Sequence, residues 1–239
     1  MDTIKINKQN TLMVAHRGVS GIEQENTCAA FVAAGNRSYF GIETDVHRTV
    51  DGKFVVFHDD TTGRICVDNM TVEKSTFDGL RSLLIMNTNG KKDRWDYRIG
   101  TLGEYISICK RYEKTAVLEL KNEFKEADLY AIVDIIKSMD YLEHVIFISF
   151  SLTNLVMLRA KYPDQPAQYL IESYDESLIS VLTANHLDLD AEYILLTEER
   201  VKALHDAGIK INVWTCDDPE YAEKLVSWGV DYITTNILE

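Results

Sequence analysis

Proline, glycine and cysteine are scarce in this sequence of 239 amino acids. Only 3 prolines and 12 glycines are present, which argues against long disordered linkers. The 4 cysteines are scattered without the paired spacing of a zinc site, so we expect reduced thiols in a cytoplasmic protein. No charged-then-apolar leader follows Met1 and no apolar run reaches about 18 residues, so neither a secretory signal nor stable membrane insertion is expected.

Basic residues are also in short supply. The chain has 25 lysines and arginines against 38 aspartates and glutamates, which gives a formal net charge of −13. A surface of this charge repels DNA, RNA and anionic lipid at long range, so no nucleic-acid partner is expected. An anionic small-molecule substrate would have to be neutralised locally, by a bound cation or by a few well-placed basic side chains.

Short apolar runs alternate with amphipathic segments along the chain. The runs expected as parallel strands are 11–15, 39–44, 115–120, 145–150, 167–171, 187–190, 210–215 and 230–235, and the segments expected as helices are 26–36, 101–112, 126–139, 151–162, 198–208 and 217–229. Alternation of this kind predicts a parallel α/β sheet. Eight strands within about 250 residues fit a closed (β/α)₈ TIM barrel, here a single domain over 1–239. An open doubly wound sheet is the rival, but no glycine-rich dinucleotide turn follows the first run.

A ninth apolar run, 53–57, comes too soon after the second strand to be the next parallel strand. The sequence Val50-Asp51-Gly52-Lys53 predicts a two-residue hairpin turn, so the second strand is expected to double back. Pairing outward from that turn places Val50 opposite Lys53 and Asp45 opposite His58. The hairpin is therefore expected to return a histidine to the carboxylates of strand two.

Residues 60–99 are polar and rich in turn residues, which distinguishes them from the rest of the chain. A connection this long is unusual inside a barrel, and long loops often carry function. We interpret this segment as an inserted subdomain over the barrel mouth, with a decorative insertion as the alternative.

Polar side chains follow several of the predicted strands. They are His16 and Arg17 after strand one, Glu43 and Asp45 at the end of strand two, His58 after the hairpin, and Glu119 and Lys121 at the end of strand three. The active groups of a (β/α)₈ barrel lie at the carboxyl ends of its strands. These side chains are therefore candidates for one site, although solvated salt bridges at strand ends are the alternative.

The candidate residues suit the cleavage of a phosphodiester. Three carboxylates, from Glu43, Asp45 and Glu119, suit a hard divalent cation such as Ca²⁺ or Mg²⁺, with Mn²⁺ as a third option. Such a cation, together with Arg17 and Lys121, would neutralise a phosphate. The ordinary pKa of a histidine lies near neutrality, so His16 and His58 suit the roles of base and acid.

In this order, the motifs resemble those of the glycerophosphodiester phosphodiesterase family. The matching pieces are AHRG (15–18), ENT (25–27), IETDV (42–46), DGKFVVFHDD (51–60), LELK (118–121), SF (149–150), VWT (213–215) and GVDYITTN (229–236). The resemblance implies a TIM barrel with a small insertion and a divalent metal on Glu43, Asp45 and Glu119. It also implies acid–base roles for His16 and His58, phosphate contacts from Arg17 and Lys121, and an apolar wall from Phe150 and Trp214. The implied reaction hydrolyses a glycerophosphodiester to an alcohol and sn-glycerol 3-phosphate.

Several alternatives stay open at the level of sequence. The histidine that acts as base is not assigned, and the nucleophile is either water or a substrate hydroxyl. A lysophospholipase D or a phospholipase C-like enzyme would use the same residues, Lys121 could instead form a Schiff base in a lyase, and the barrel could bind a diester without cleaving it. The chain departs from the family pattern at Gln24, at Gly100 and Gly103, and at Asn236, where the family usually has aspartate.

Overall fold

The computed structural model describes residues 2–239 and contains a closed barrel of eight parallel strands, as predicted. The ten strands within these described residues are β1 (Leu12–Ala15), β2 (Gly41–Arg48), β3 (Phe54–Val56), β4 (Gly100–Thr101), β5 (Thr115–Leu120), β6 (Val145–Ser149), β7 (Ala167–Ile171), β8 (Asp188–Glu192), β9 (Ile211–Trp214) and β10 (Tyr232–Thr235). All except β3 and β4 form the barrel. Closure comes from β1, which pairs in parallel with β10 on one side and with β2 on the other.

Eight α-helices are found among residues 2–239, and all except α2 cover the outside of the barrel between successive strands. They are α1 (Cys28–Gly35), α2 (Phe77–Ser82), α3 (Leu102–Arg111), α4 (Glu126–Ser138), α5 (Leu152–Lys161), α6 (Leu178–Asn185), α7 (Glu198–Asp206) and α8 (Pro219–Trp228). Their apolar faces and the outward-facing strand residues form one large buried core. No helix among residues 2–239 combines the length and the apolar composition that crossing a bilayer requires.

Gly100 and Gly103, two departures from the family pattern, do not prevent a well-capped helix at α3. Gly100 lies outside the helix, in β4, where it pairs with Val56 of β3. Thr101 and Glu104 form a reciprocal capping box, in which each side chain accepts a hydrogen bond from the backbone N–H of the other. The helix therefore begins at Leu102 despite the nearby glycines.

The hairpin between β2 and β3 forms as predicted, but its predicted register is wrong by one residue. Arg48 lies opposite Phe54 and Val46 opposite Val56, so Asp45 lies level with Phe57 rather than with His58. The cause is Gly52, whose positive φ of 76° gives a three-residue loop in place of a two-residue turn. His58 nevertheless reaches the site, because the ladder ends at Val56 and the chain turns after it.

The segment after the hairpin, 60–99, carries α2 and two short 3₁₀ turns. It is flanked by β3 and β4, which pair with each other. It has a small core of its own, formed by Ile65, Cys66, Val72, Leu80, Leu83, Ile85, Tyr97 and Ile99 against Val55 and Phe57 of the hairpin. The segment therefore packs onto the outer end of the hairpin rather than into the barrel core.

Candidate active site

A cavity of about 250 Å³ lies at the carboxyl ends of the barrel strands. Its lining includes eight of the nine site residues predicted from sequence: His16, Arg17, Glu43, His58, Glu119, Lys121, Phe150 and Trp214. The ninth, Asp45, is 1% exposed and forms ion pairs with Arg17 and Lys121. The structure thus brings all nine together in and directly beneath one cavity.

The geometry of β2 and β5 explains how three carboxylates meet. Glu43 and Asp45 are two residues apart on β2 and so point to the same side, and Asp45 is the register partner of Glu119 on β5. Carboxylate oxygens of all three lie within 4.8 Å of one another. Two oxygens bound to one Ca²⁺ lie at most about 5 Å apart, because each Ca–O distance is 2.3–2.6 Å. The spacing fits a single hard cation.

The pKa values of two of these three carboxyls are raised, because the cluster is buried and has little positive charge close to it. Burial, followed by the charge of Asp45, raises the pKa of Glu43 well above its usual range and that of Glu119 to about 7. Burial alone would raise the pKa of Asp45 as well, but Lys121 and Arg17 outweigh it and lower that pKa. One oxygen of Asp45 and one of Glu119 are buried without a hydrogen bond of adequate geometry. Three buried carboxylates share few positively charged neighbours, and carboxylate oxygens are the ligands that a hard cation prefers, so the residues present fit a divalent metal.

Arg17 approaches the cluster from β1 with an unusual backbone conformation. Its φ is +53°, and the following Gly18 has φ +77°, so the chain turns sharply after β1. This turn lets the Arg17 backbone N–H donate to Glu43 Oε2 over 2.8 Å and the guanidinium donate to Glu25 over 2.8 Å. The guanidinium Nε lies 3.8 Å from Asp45 Oδ2 and makes no hydrogen bond. The Nε–H group is therefore a buried donor without a hydrogen-bond partner.

Lys121 is the second cation of the site. Its ammonium lies 3.0 Å from Glu119 Oε1 and 3.5 Å from Asp45 Oδ1. Burial would lower the pKa of this lysine, but the charges of Asp45 and Glu119 outweigh burial and raise it. The side chain is consequently charged at neutral pH.

His58 is held by a carboxylate from its own loop. Its Nδ1 lies 2.6 Å from Asp59 Oδ1, and Asp59 in turn accepts from Arg64, which also binds Glu25. Burial lowers the pKa of His58, partly opposed by the charge of Asp45. A chain of charged contacts therefore runs from His58 through the inserted segment to Glu25, the partner of Arg17.

His16 has a neutral partner instead. Its Nδ1 lies 2.7 Å from the side-chain oxygen of Asn236, which follows β10. Burial, and then the charge of Arg17, lowers the pKa of His16 to about 4. The imidazole is thus uncharged at neutral pH and able to accept a proton.

An aromatic pair borders the cavity on the far side. Phe150, 40% exposed after β6, meets Trp214 of β9 edge-on, with ring centroids 5.6 Å apart. Phe150 and Glu172 also line an adjoining groove of about 430 Å³, which extends towards α6. The cavity thus opens into a second space that is large enough for part of a substrate.

Some residues of the site escaped the sequence-based assignment of roles. They are Glu25, Asn26, Asp59, Arg64, Asp190 and Asn236. Asp190 of β8 is 1% exposed and lines the cavity, and its Oδ1 has no hydrogen bond; burial, followed by Glu119, raises its pKa well above the usual range. The available signal was an aspartate within a buried parallel strand, where a nearly continuous apolar run is expected.

A TIM barrel whose mouth joins a metal-fitting carboxylate cluster to two cations and two imidazoles is the framework of a phosphodiesterase. Residues 16–239 match the model of the glycerophosphoryl diester phosphodiesterase family, and the chain belongs to that family.

Relatives and solved structures agree over nearly the full length. The chain is 30% identical over 232 residues to a glycerophosphodiester phosphodiesterase of Caldanaerobacter subterraneus subsp. tengcongensis, covering 95% of this chain and 94% of that one. An Oleispira antarctica phosphodiesterase, solved in complex with the product sn-glycerol-3-phosphate, superposes with a TM-score of 0.87 at 26% identity, covering 97% and 95%. The glycerophosphodiester phosphodiesterase of Thermotoga maritima superposes with a TM-score of 0.75 at 27% identity, covering 95% and 94%.

Proposed function

We propose that this phosphodiesterase hydrolyses small glycerophosphodiesters to an alcohol and sn-glycerol 3-phosphate. The observation that carries the proposal is the convergence of two imidazoles, two fixed cations and three carboxylates on one cavity of about 250 Å³. The product named for the Oleispira antarctica structure supports the choice of glycerol 3-phosphate.

The phosphate of the substrate is expected between Arg17 and Lys121. Each presents positive charge to the cavity while its neighbours hold it in place, Glu25 and Glu43 for Arg17 and Glu119 for Lys121. Cations fixed before the substrate arrives stabilise the charge that develops on phosphate oxygens, and no reorganisation is needed at the moment of reaction. These contacts explain how an acidic protein can take an anionic substrate.

Proton transfer is assigned to His16 and His58. One imidazole takes the proton of the attacking oxygen, from water or from a substrate hydroxyl, as that oxygen forms its bond to phosphorus. The other gives a proton to the alcohol oxygen as the second P–O bond breaks. If a substrate hydroxyl attacks first, a water then opens the cyclic phosphate with the two roles exchanged.

Glu43, Asp45 and Glu119 are proposed to hold one divalent cation, Ca²⁺ or Mg²⁺ with Mn²⁺ as a third option. When bound, the cation supplies positive charge next to the phosphate. The three side chains contribute the oxygens, and two of these, Asp45 Oδ1 and Glu119 Oε1, face the Lys121 ammonium.

The alcohol part of the substrate is proposed to lie beside Phe150 and Trp214 and to extend into the groove that borders Glu172. Residues 60–99 are proposed to form a subdomain at the same mouth, tied to it by the contacts of Arg64 with Asp59 and Glu25. A groove of this size also leaves room for a lysophospholipid, which makes a lysophospholipase D reaction the second candidate.

Two further alternatives are disfavoured by particular contacts. A Schiff base needs a neutral lysine, whereas Glu119 and Asp45 raise the pKa of Lys121 and keep it charged. A barrel that only binds a diester would not need a buried, low-pKa histidine next to the phosphate site.

Release of glycerol 3-phosphate from glycerophosphocholine and glycerophosphoethanolamine tests the proposal, with EDTA and with each metal added back. We expect EDTA to stop release and one of the three metals to restore it. His16→Ala and His58→Ala should each lower kcat by about 100-fold or more, while His144→Ala, at the opposite end of β6, should not. Release from lysophospholipids alone would shift the assignment to lysophospholipase D. An adduct on Lys121 that borohydride traps in the presence of a carbonyl substrate would refute hydrolysis in favour of the lyase.

A further inference from the structure

The partner of His16 is itself held by a second residue from another strand. Asn236, after β10, accepts hydrogen bonds at its side-chain oxygen from His16 Nδ1 over 2.7 Å and from Ser20 Oγ over 2.6 Å. Its side-chain nitrogen donates to Asp217 Oδ2 over 2.6 Å. Asp217 follows β9, and its other oxygen accepts from the Asn236 backbone N–H and from Thr235 Oγ1. A continuous path therefore joins His16, Asn236 and Asp217.

The chemistry of these groups fixes the orientation of the Asn236 amide. An ionised carboxylate can only accept hydrogen bonds, so the NH₂ group of Asn236 must face Asp217 and the oxygen must face His16. An amide oxygen can also only accept, so Nδ1 of His16 must carry the proton. Nε2 then carries the lone pair, and no hydrogen bond to it is found among residues 2–239.

We propose that Asn236, anchored by Asp217, is a positioning residue that holds His16 in its Nδ1–H tautomer, so that Nε2 is the atom that takes the proton from the attacking oxygen. This assignment rests on the proposed function and goes beyond it, because it names the two residues that prepare His16 for the first step. In that step Nε2 gains the proton of the attacking oxygen while His58 gives its proton to the departing alcohol.

The hydrogen-bond partners of the two histidines differ in charge, as expected if His16 is the base and His58 the acid. His58 faces the carboxylate of Asp59 at 2.6 Å, and a negative partner stabilises the protonated imidazole that an acid needs. His16 faces a neutral amide, which orients the ring without adding a full negative charge. The carboxylate of Asp217 lies behind this amide, so that the Asn236 side chain separates it from the ring.

The test begins with ¹⁵N-histidine NMR of the substrate-free protein, in which the His16 signals are identified by their loss in His16→Gln. We expect wild-type His16 to show the Nδ1–H tautomer. Asn236→Leu removes the acceptor at similar size, so the ring should move towards the Nε2–H form that free histidine prefers. Asn236→Asp, which restores an acceptor, should keep the Nδ1–H tautomer. Asn185→Leu, at the remote end of α6, is the control and should change nothing.

Kinetics of the same proteins supply the second readout. Asn236→Leu should lower kcat by about 100-fold with KM within about two-fold, because the base is misplaced while the phosphate contacts remain. If that variant fails to fold in a thermal melt, Asp217→Ala replaces it, since the unanchored amide can then rotate and both tautomers should appear.

The outcomes separate this inference from the proposed function. An Nε2–H signal for wild-type His16, or an unchanged tautomer in Asn236→Leu and Asp217→Ala, would overturn it. A wild-type protein with the Nδ1–H signal that cleaves none of the diesters would refute the proposed reaction while supporting the positioning of His16.

Discussion

Asn26 donates its side-chain NH₂ to Asp45 Oδ2 over 2.8 Å and accepts at its side-chain oxygen from Thr44 Oγ1 over 2.7 Å. All three residues are buried. The Asn26 amide therefore joins the segment that precedes α1 to Thr44 and Asp45 of β2. Asn26 adopts a positive φ of 55°, a conformation that asparagine tolerates better than most residues. The carboxylate of Asp45 is thereby aimed at the cluster before any ligand binds.

We therefore expect Asn26→Ala to lower the free energy of unfolding by about 2 kcal/mol, because a buried charged acceptor loses its donor. The affinity for the activating divalent cation should fall as well, since Asp45 loses its orientation. Urea denaturation and cation titration by calorimetry measure the two effects. Asn36→Ala, which removes an exposed amide contact at the end of α1, is the control, and equal losses in both variants would contradict the assignment.

Gly18 provides a test of the turn that presents Arg17. A Cβ built on Gly18 would lie 2.6 Å from backbone and side-chain atoms of Ala30, and its φ is +77°. Gly18→Ala should therefore cost more than about 3 kcal/mol, combining backbone strain with overpacking. Gly208→Ala is the matched control, because Gly208 has the same φ with nothing within 4 Å and should cost only about 1 kcal/mol. Similar midpoints in urea for both variants would rule out the steric argument.

Asp190 gives stability a dependence on pH. Its pKa is raised in the folded state, so the stability of the wild type relative to Asp190→Asn is greatest below the ordinary pKa of 3.8 and declines as pH rises above it. The decline should be about 1.4 kcal/mol per pH unit until the folded-state pKa is reached. Consequently, Asp190→Asn should be the more stable protein at pH 7. Unfolding curves from pH 4 to 8 measure this, and parallel curves for the two proteins would exclude a buried neutral acid.

Glu239 should show the opposite dependence. Burial would raise its pKa, but Lys5, Ser38 and Thr3 outweigh burial and lower it from 4.5 to about 2. A lowered pKa contributes stability above the unfolded-state value, and this contribution is lost as pH falls from 4.5 towards 2. Glu239→Gln should therefore cost about 2 kcal/mol at pH 7 and much less at pH 2.5. The difference in unfolding free energy at the two pH values is the measurement; an equal cost at both would show that the charge is not responsible.

Most of the barrel strands were predictable because they are buried on both faces and read as short, largely apolar runs, whereas β8 carries Asp188 and Asp190. Helix α6 was not predicted, since its sequence LISVLTAN carries apolar residues on most sides and lacks the single stripe that indicates an amphipathic helix. The hairpin register failed for a local reason, because an Asp-Gly pair suits a two-residue turn and a three-residue loop alike.

Some residues of the candidate site could be predicted from the sequence and others could not. Residues at or just after the ends of apolar strands, such as Glu119 and His16, stand out in the sequence. Asn236 does not, because its contact with His16 joins positions 220 residues apart and depends on the closure of β1 onto β10. Contacts of this length are set by the barrel as a whole and are not encoded in any local pattern.

The pairing of Val56 with Gly100 has a practical consequence for redesign. Antiparallel neighbours lie about 5 Å apart, so the chain leaves the hairpin after β3 and returns at β4 through almost the same point. A segment of another length, in place of residues 60–98, would meet the same two anchors, and doubling its length would add only about 0.6 kcal/mol of closure cost. We therefore expect this segment to be exchangeable while the carboxylates of β2 and β5 stay untouched.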